Sequence, residues 1–408
     1  MAFKRSPVRF RYSPQVSPAV KSADLQEMIV KGRPRKGGLI FYTAYAFGAD
    51  HPRRKTRCRQ CMAIGMDNTE KEPLYGKTLA QLGAVAAEAG LPRYAAGQIA
   101  AWLYRKGVSE IDAMTDISLA GRTKLAERYT VGLSAPERVA ESADGTKKYL
   151  YRTPAGHYVE SAYIPDGDRA TLCVSSQAGC RMGCAFCMTG RQGLRGQLSA
   201  GDILNQMASL PERDRLTNMV YMGMGEPFDN LDNVLDSLEV LTSPWGYGWS
   251  PTRITVSTSG VLPSLRRFMD STRAHLAVSL HNPFPEQRVQ VMPVEKAYAV
   301  RDVVEMLKGY DFGGQRRVSF EYIVMAGLND SPAHVRELAR LLDGLKCRIN
   351  LIRFHKIPGS PFFSPDDRKM EAFRDALSRK GIITTIRASR GEDIQAACGL
   401  LSTEGMER

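Results

Sequence analysis

The sequence predicts an α/β fold, a partial, TIM-like (β/α)6 barrel that follows a small N-terminal helical domain. Three observations predict it. Six strand-like runs alternate with helical patterns through residues 166–402. Three short amphipathic helices crowd residues 72–135. Polar clusters stand at the C-terminal ends of the predicted strands, where such a barrel collects its chemistry.

The chain has 408 residues, 43% of them hydrophobic and 24% charged, enough to bury a sizeable core in one large or several ordinary domains. No apolar run reaches the length of a membrane span, and no secretory signal pattern opens the chain. Eight cysteines without an export signal place the protein in a reducing cytoplasm, with thiols free for ligation or catalysis. Net charge is +13. Residues 1–65 hold 14 Lys and Arg against 3 Asp and Glu, so they carry +11 and leave +2 for the remainder. A polyanionic partner must therefore be gripped by local patches rather than by bulk charge.

Residues 1–65 lack periodicity and are expected to be disordered, or to lie upstream of a true start at Met66. Cys58 and Cys61 form half of a zinc pattern whose other half is missing, so no site is assigned to them. Order begins near Leu74. Leu79, Leu82, Val85 and Ala86 share one helical face, Ile99, Trp102 and Leu103 a second, and Leu119, Leu125 and Ala126 a third. This module is either scaffolding or an RNA-docking surface presenting Arg105, Lys106, Arg122 and Lys124. Residues 136–165 form a connecting hairpin, with period-two runs on either side of a Pro-Ala-Gly turn in 147–164.

Strands follow at 171–176, 218–223, 253–258, 275–281, 317–325 and 348–355. Helical patterns lie near 199–210, 231–242, 261–270, 299–309, 332–343 and 366–380. Ser331-Pro332 and Ser364-Pro365 each place a capping residue before Pro at the first helical position.

After the first strand comes Cys180-Arg-Met-Gly-Cys184-Ala-Phe-Cys187. Three thiols so close can pack as small hydrophobes, bind zinc or hold an iron–sulfur cluster. Zinc needs a second pair of ligands, and none lies at a suitable distance, so an open three-cysteine cluster is expected. Later strands end in Met-Gly-Met-Gly225-Glu226-Pro, Ser257-Thr-Ser-Gly, Ser279-Leu280-His281 and Phe-His355. The glycines would admit a ligand to the backbone, and Glu226 would accept from an ammonium group.

These blocks, with Cys173-Val-Ser-Ser-Gln-Ala-Gly-Cys180 and Arg390-Gly-Glu-Asp-Ile-Gln-Ala-Ala-Cys398-Gly, resemble the dual-specificity RNA adenine C2-methyltransferases (RlmN family) of the radical S-adenosylmethionine superfamily, over residues 72–402. The resemblance implies a radical SAM barrel in which Cys180, Cys184 and Cys187 bind a [4Fe–4S] cluster. It implies an S-adenosyl-L-methionine cradle from Gly225, Glu226, Ser257, Ser279, Leu280, His281 and His355; better-known members carry Asn at the last position. Cys398 would be the S-methylcysteine intermediate and Cys173 the resolving cysteine, joined to it in a transient disulfide. Glu160 matches the family's proton acceptor, and Cys173 is a second candidate base. Implied substrates are adenine 2503 of 23S rRNA and adenine 37 of tRNAs (RNA numbering). A monomer, a low-potential flavodoxin-like electron donor and no membrane partner complete the picture. Two alternatives are a C8-methylating enzyme of the Cfr type and a non-catalytic iron–sulfur RNA-binding factor.

On residue chemistry alone, Cys398 reads better as a buried C-terminal core thiol, Cys173 equally well as a strand-core thiol, and Glu160 as a partly buried carboxylate ahead of a solvent-facing strand residue. A partly buried Glu160 would have a raised pKa suited to proton transfer. Arg387 and Arg390 would contact RNA phosphate or depress the Cys398 pKa. Cys347 is expected to be structural.

Overall fold

The computed structural model describes residues 71–403. The expectations for residues 1–65, with Cys58, Cys61 and the Met66 boundary, lie outside the described residues. The backbone of the fold is one ten-stranded sheet whose spatial order follows the chain. Its strands are β1 (Arg138–Glu141), β2 (Lys147–Arg152), β3 (Tyr158–Asp166), β4 (Arg169–Cys173), β5 (Asn218–Tyr221), β6 (Ile254–Thr258), β7 (His275–Ser279), β8 (Val318–Val324), β9 (Arg348–Arg353) and β10 (Ile383–Ile386). β1 to β4 pair antiparallel, and β4 to β10 pair parallel.

The six expected parallel strands are all present. Two edge strands, β1 and β10, stand outside the strands expected from the sequence. Each is four residues long with at most one buried residue, so neither shows the apolar run that marks the central strands. The expected hairpin forms as β2 and β3, and it continues the barrel sheet through pairing of Ala162 with Cys173. It is therefore a wall of the barrel as well as a connector.

Helices return at Ala200–Ala208, Leu231–Thr242, Leu262–Ser271, Val300–Lys308, Pro332–Leu341 and Asp367–Arg379, close to their expected positions. Alternation along the strands explains the layering. Val256, Leu276 and Val278 face the helices and are buried, while Ser257 and Ser279 face the barrel interior. Ser331 caps its helix with Pro332 at the first position, as expected. The other expected cap moves two residues: Asp366, not Ser364, accepts from the Lys369 N–H at 2.8 Å.

The three helices of the N-terminal module bury Leu82, Val85, Ile99, Leu103 and Leu125. Thr78 and Gln81 form a capping box at the first helix. Three of the four basic residues suggested for RNA contact have partners in the module or its neighbour. Arg105 donates to the Pro244 carbonyl, Lys106 lies 3.2 Å from the Trp102 ring centre, and Arg122 donates to the Met114 and Ile117 carbonyls. The module packs on the barrel where Gly76, at φ 92°, meets the start of the Ala200–Ala208 helix. A Cβ on Gly76 would stand 2.1 Å from the Gly201 nitrogen. Gly76→Ala is expected to lower the unfolding free energy by roughly 2–4 kcal/mol, combining overpacking with a left-handed Ala. Gly156→Ala, at φ 83° in open space, is expected to cost only about 1 kcal/mol. Urea denaturation of both variants checks the difference.

Candidate active site

The loop leaving β4 builds the cysteine site. Gln177–Gly179 pairs antiparallel with Leu194–Gln197, folding the intervening segment back over the barrel mouth. Gly179 makes the turn at φ 74°, where a Cβ would fall 1.8 Å from the Gly193 carbonyl oxygen. Cys180 is buried, and Cys184 and Cys187 are partly buried. Burial is the main cause that pushes all three thiols up, Cys180 to about 12, and their mutual proximity raises Cys180 and Cys184 further. N–H groups of Met182 and Gly190 offset this at Cys180 and Cys187.

Among the described residues no three Cys, His, Asp or Glu converge tightly enough for a single metal ion. An iron–sulfur cube asks for something wider, because each cysteine takes a different iron. Three desolvated thiols in one loop, two with backbone N–H donors at sulfur, fit that donor set.

The strand ends supply the rest of the bowl. A Cβ on Gly225 would sit 2.6 Å from Gln177 Cβ, and one on Gly223 2.7 Å from Ser175 Oγ. Both glycines are thus required by packing against the 174–177 segment, irrespective of any ligand. Glu226 is buried and joins two strand ends, accepting from the Phe228 N–H at 3.1 Å and the Ser259 N–H at 2.7 Å. Burial raises its pKa against these hydrogen bonds. Ser257 and Ser279 face the interior half-buried. The Leu280 side chain belongs to the main core, so only its backbone borders the bowl.

His281 is buried at φ 54° and its Nδ1 accepts from the Ile323 N–H at 2.9 Å, which leaves the ring proton on Nε2. Burial and Arg288 lower its pKa to about 3, so the imidazole is neutral. His355 is also buried, but residues later in the chain surround it. Its Nδ1 lies 3.4 Å from Glu392 Oε1 and its Nε2 3.4 Å from Ser389 Oγ.

Arg288 was missed in the sequence, where it reads as an ordinary surface cation in a Pro-Glu-Gln-Arg helix start. It is 0% exposed. Its guanidinium donates to the Leu280 carbonyl at 2.9 Å, the Ser279 carbonyl at 2.8 Å and the Ser259 carbonyl at 3.0 Å, and it pairs with Glu295. One side chain therefore pins the ends of β6 and β7. Glu321 was missed too. Ser319 and Asn350 hold its Oε1 at 3.0 and 2.7 Å, while its buried Oε2 has no partner.

Residues 387–403 form a strap across the barrel mouth. After β10 it runs to the β1–β2 turn, where the Gly391 N–H donates to Asp144 at 3.0 Å and Ser142 donates to Asp393 at 2.6 Å. Arg390 pairs with Asp166 at 2.9 Å, so its charge has a protein partner. The strap then lies on the cysteine loop: the Met188 N–H donates to the Gly399 carbonyl at 2.9 Å and Thr189 Oγ1 to the Leu401 carbonyl at 2.7 Å. Cys398 keeps solvent access yet has protein packed around its sulfur, and that burial raises its pKa despite Arg387. Ala396 packs with Cys173 and Ala162. Burial, then the neighbouring Cys398, pushes Cys173 to about 12, with Arg387 opposing. Both thiols are free, so the disulfide expected between them is not formed in this structure. Cys347 is a further free thiol, half-buried against the core.

Glu160 is 1% exposed, not solvent-facing. Its Oε1 lies 3.0 Å from Lys148 Nζ, and its Oε2 accepts from the Ser402 N–H of the strap at 3.0 Å. Burial raises its pKa, and Lys148 is the principal opposing influence. The structure thus gathers Glu160, Cys173 and Cys398 around one corner of the bowl, beside the cysteine loop.

The fold and this bowl define a radical SAM protein, and a model of the Radical SAM superfamily matches residues 174–342. The chain belongs to the RlmN family. A model of the ribosomal RNA large subunit methyltransferase N-terminal domain matches residues 73–131. A probable dual-specificity RNA methyltransferase RlmN of Bacteroides fragilis is 56% identical over 83% of this chain and 98% of its own length. A dual-specificity RNA methyltransferase RlmN of Syntrophotalea carbinolica is 39% identical over 83% of this chain and 92% of its own length. The crystal structure of a radical SAM methyltransferase from Sphaerobacter thermophilus, 41% identical, superposes with a TM-score of 0.75 over 81% of this chain and 99% of that one.

Arg288→Met is expected to destabilise the fold by about 3–5 kcal/mol, because Glu295 is left buried without its counter-charge. Denaturant unfolding checks this; a loss under 1 kcal/mol would remove Arg288 from its pinning role.

Proposed function

We propose that this protein methylates C2 of adenine in RNA, on both 23S rRNA and tRNA, and does so in the cytoplasm as a monomer served by a low-potential, flavodoxin-like donor. The observation that carries the proposal is the placement of Cys398 by the strap, beside Cys173 and against the cysteine loop. A C2 outcome, rather than C8, is supported by the RlmN designation shared by the curated relatives.

Cys180, Cys184 and Cys187 would hold the cluster, and Glu226, Ser257, Ser279, His281 and the backbone of Gly225 and Leu280 would border the S-adenosylmethionine. His355 would act from beneath the strap rather than as a free donor. The cluster and its bound S-adenosylmethionine supply a carbon radical able to take a hydrogen atom from a methyl group. Cys398 carries that methyl carbon on its sulfur and presents it to C2, an electron-poor position closed to ordinary polar transfer. Reaching C2 requires the base to be unstacked into the bowl. Glu160 takes the C2 proton. Cys173 is the poorer base, since a thiol pushed to about 12 holds its own proton at neutral pH. Cys173 then bonds to the Cys398 sulfur as the carbon–sulfur bond breaks, and its thiol proton passes to the freed methylene carbon to complete the methyl group. The methylated base leaves as the odd electron brought in by the carbon radical is released.

Two outcomes test this. RNA treated with the anaerobically reconstituted enzyme should yield 2-methyladenosine on nucleoside mass spectrometry, and 8-methyladenosine alone would overturn the C2 assignment. Cys173→Ala should accumulate a covalent protein–RNA adduct on denaturing gels, while Cys398→Ala should give neither adduct nor product. Methylation surviving in Cys398→Ala would instead favour a role for this cysteine in packing.

A further inference from the structure

Glu160 stands in a setting that should defeat it as a base. A carboxylate 1% exposed is driven toward its neutral, protonated form, which cannot take a proton. The sheet places a countermeasure beside it. Lys148 is the register partner of Ala162, and Ala162 is the partner of Cys173. Cross-strand partners share a face, and Glu160 lies two residues from Ala162 on that same face. Lys148, Glu160 and Cys173 therefore project together into the bowl from three adjacent strands.

We propose that Lys148 is the positioning residue of the Glu160 base, holding Oε1 so that the carboxylate stays ionised and aimed beside Cys173. The proposal rests on Glu160 being the proton acceptor. The ammonium lies 3.0 Å from Oε1, and its side chain is only 16% exposed, so solvent screens the pair weakly. The other faces of Glu160 are accounted for. The strap offers the Ser402 N–H to Oε2, β4 offers the neutral Cys173 thiol, and the loop after β5 offers Met224 Sδ to the Glu160 backbone N–H. Each carboxylate oxygen keeps a second lone pair for the incoming proton. When the C2–H bond breaks, its proton goes to Glu160 and its electron pair stays with the ring. Lys148 keeps its own proton throughout.

The sign of the pH effect follows. Glu160 works as a base only when ionised, so adduct resolution fails as pH falls through its pKa. Removing the neighbouring cation raises that pKa. In single-turnover reactions of the full-length reconstituted enzyme with S-adenosylmethionine, reductant and an rRNA fragment, Lys148→Gln should shift the acid limb of adduct resolution upward by about 1–3 pH units. Adduct should persist at neutral pH and clear at alkaline pH. Lys148→Arg should keep the wild-type limb, and Lys148→Met repeats the test with a second neutral side chain. Glu160→Gln should hold the adduct at every pH. If Glu160→Gln clears adduct at the wild-type rate, Glu160 is not the base and Lys148 loses its role with it. If Glu160→Gln stalls while the neutral Lys148 variants keep the wild-type limb and only raise the KM for RNA, the Lys148 proposal alone falls.

Discussion

The strap of residues 387–403 is the constraint on which the site depends. The sheet is open between β1 and β10, and the strap spans that opening by hydrogen bonds to Asp144, Ser142 and Asp166 on one side and to the cysteine loop on the other. Burial alone would raise the Asp144 pKa, yet hydrogen bonds from Thr146, Gly391 and Ser142 outweigh it and bring the carboxyl to about 2. That anchor is thus ionised across the physiological range. Without the strap, Cys173 would be a strand thiol and Cys398 a tail thiol with nothing in common. His355 and Glu160 also depend on it, one through Ser389 and Glu392, the other through Ser402.

Buried charge is the second organising theme. Two of the buried ionisable groups in the barrel wall draw a counter-charge from a neighbouring element, Arg288 from Glu295 and Glu160 from Lys148, whereas Glu226 is held by backbone N–H groups. Such pairs add little net stability, but either partner alone would be costly. Their effect is on geometry. Arg288 holds three backbone carbonyls at the ends of β6 and β7 in register, which no apolar side chain can do. Glu321 breaks the pattern, with one oxygen held and the other unpartnered in the interior.

Much of this was legible in the sequence, for physical reasons. The central strands are buried on both faces, so β8 reads as an apolar run interrupted only by Ser319 and Glu321. The three cysteines are local, and local spacing survives in a sequence. The edge strands were not legible, because four-residue strands with at most one buried residue carry no distinctive pattern. Arg288 and Lys148 were not legible either, since burial of a cation is decided by elements distant in the chain. The glycines of Met-Gly-Met-Gly were legible as special backbone positions, but for a different cause: Ser175 and Gln177 crowd them. The Cys173–Cys398 pairing was implied by resemblance alone; 225 residues separate them, and only the strap explains their meeting.

Cys398 is the carbon carrier that the strap delivers to the bowl in the proposed reaction. The direct test is peptide mapping by mass spectrometry after the anaerobically reconstituted protein is incubated with S-adenosylmethionine and reductant in the absence of RNA. A single methyl group is expected on the Cys398 sulfur. An unmodified Cys398, or a methyl group carried by Cys173 or Cys347 in its place, would contradict it.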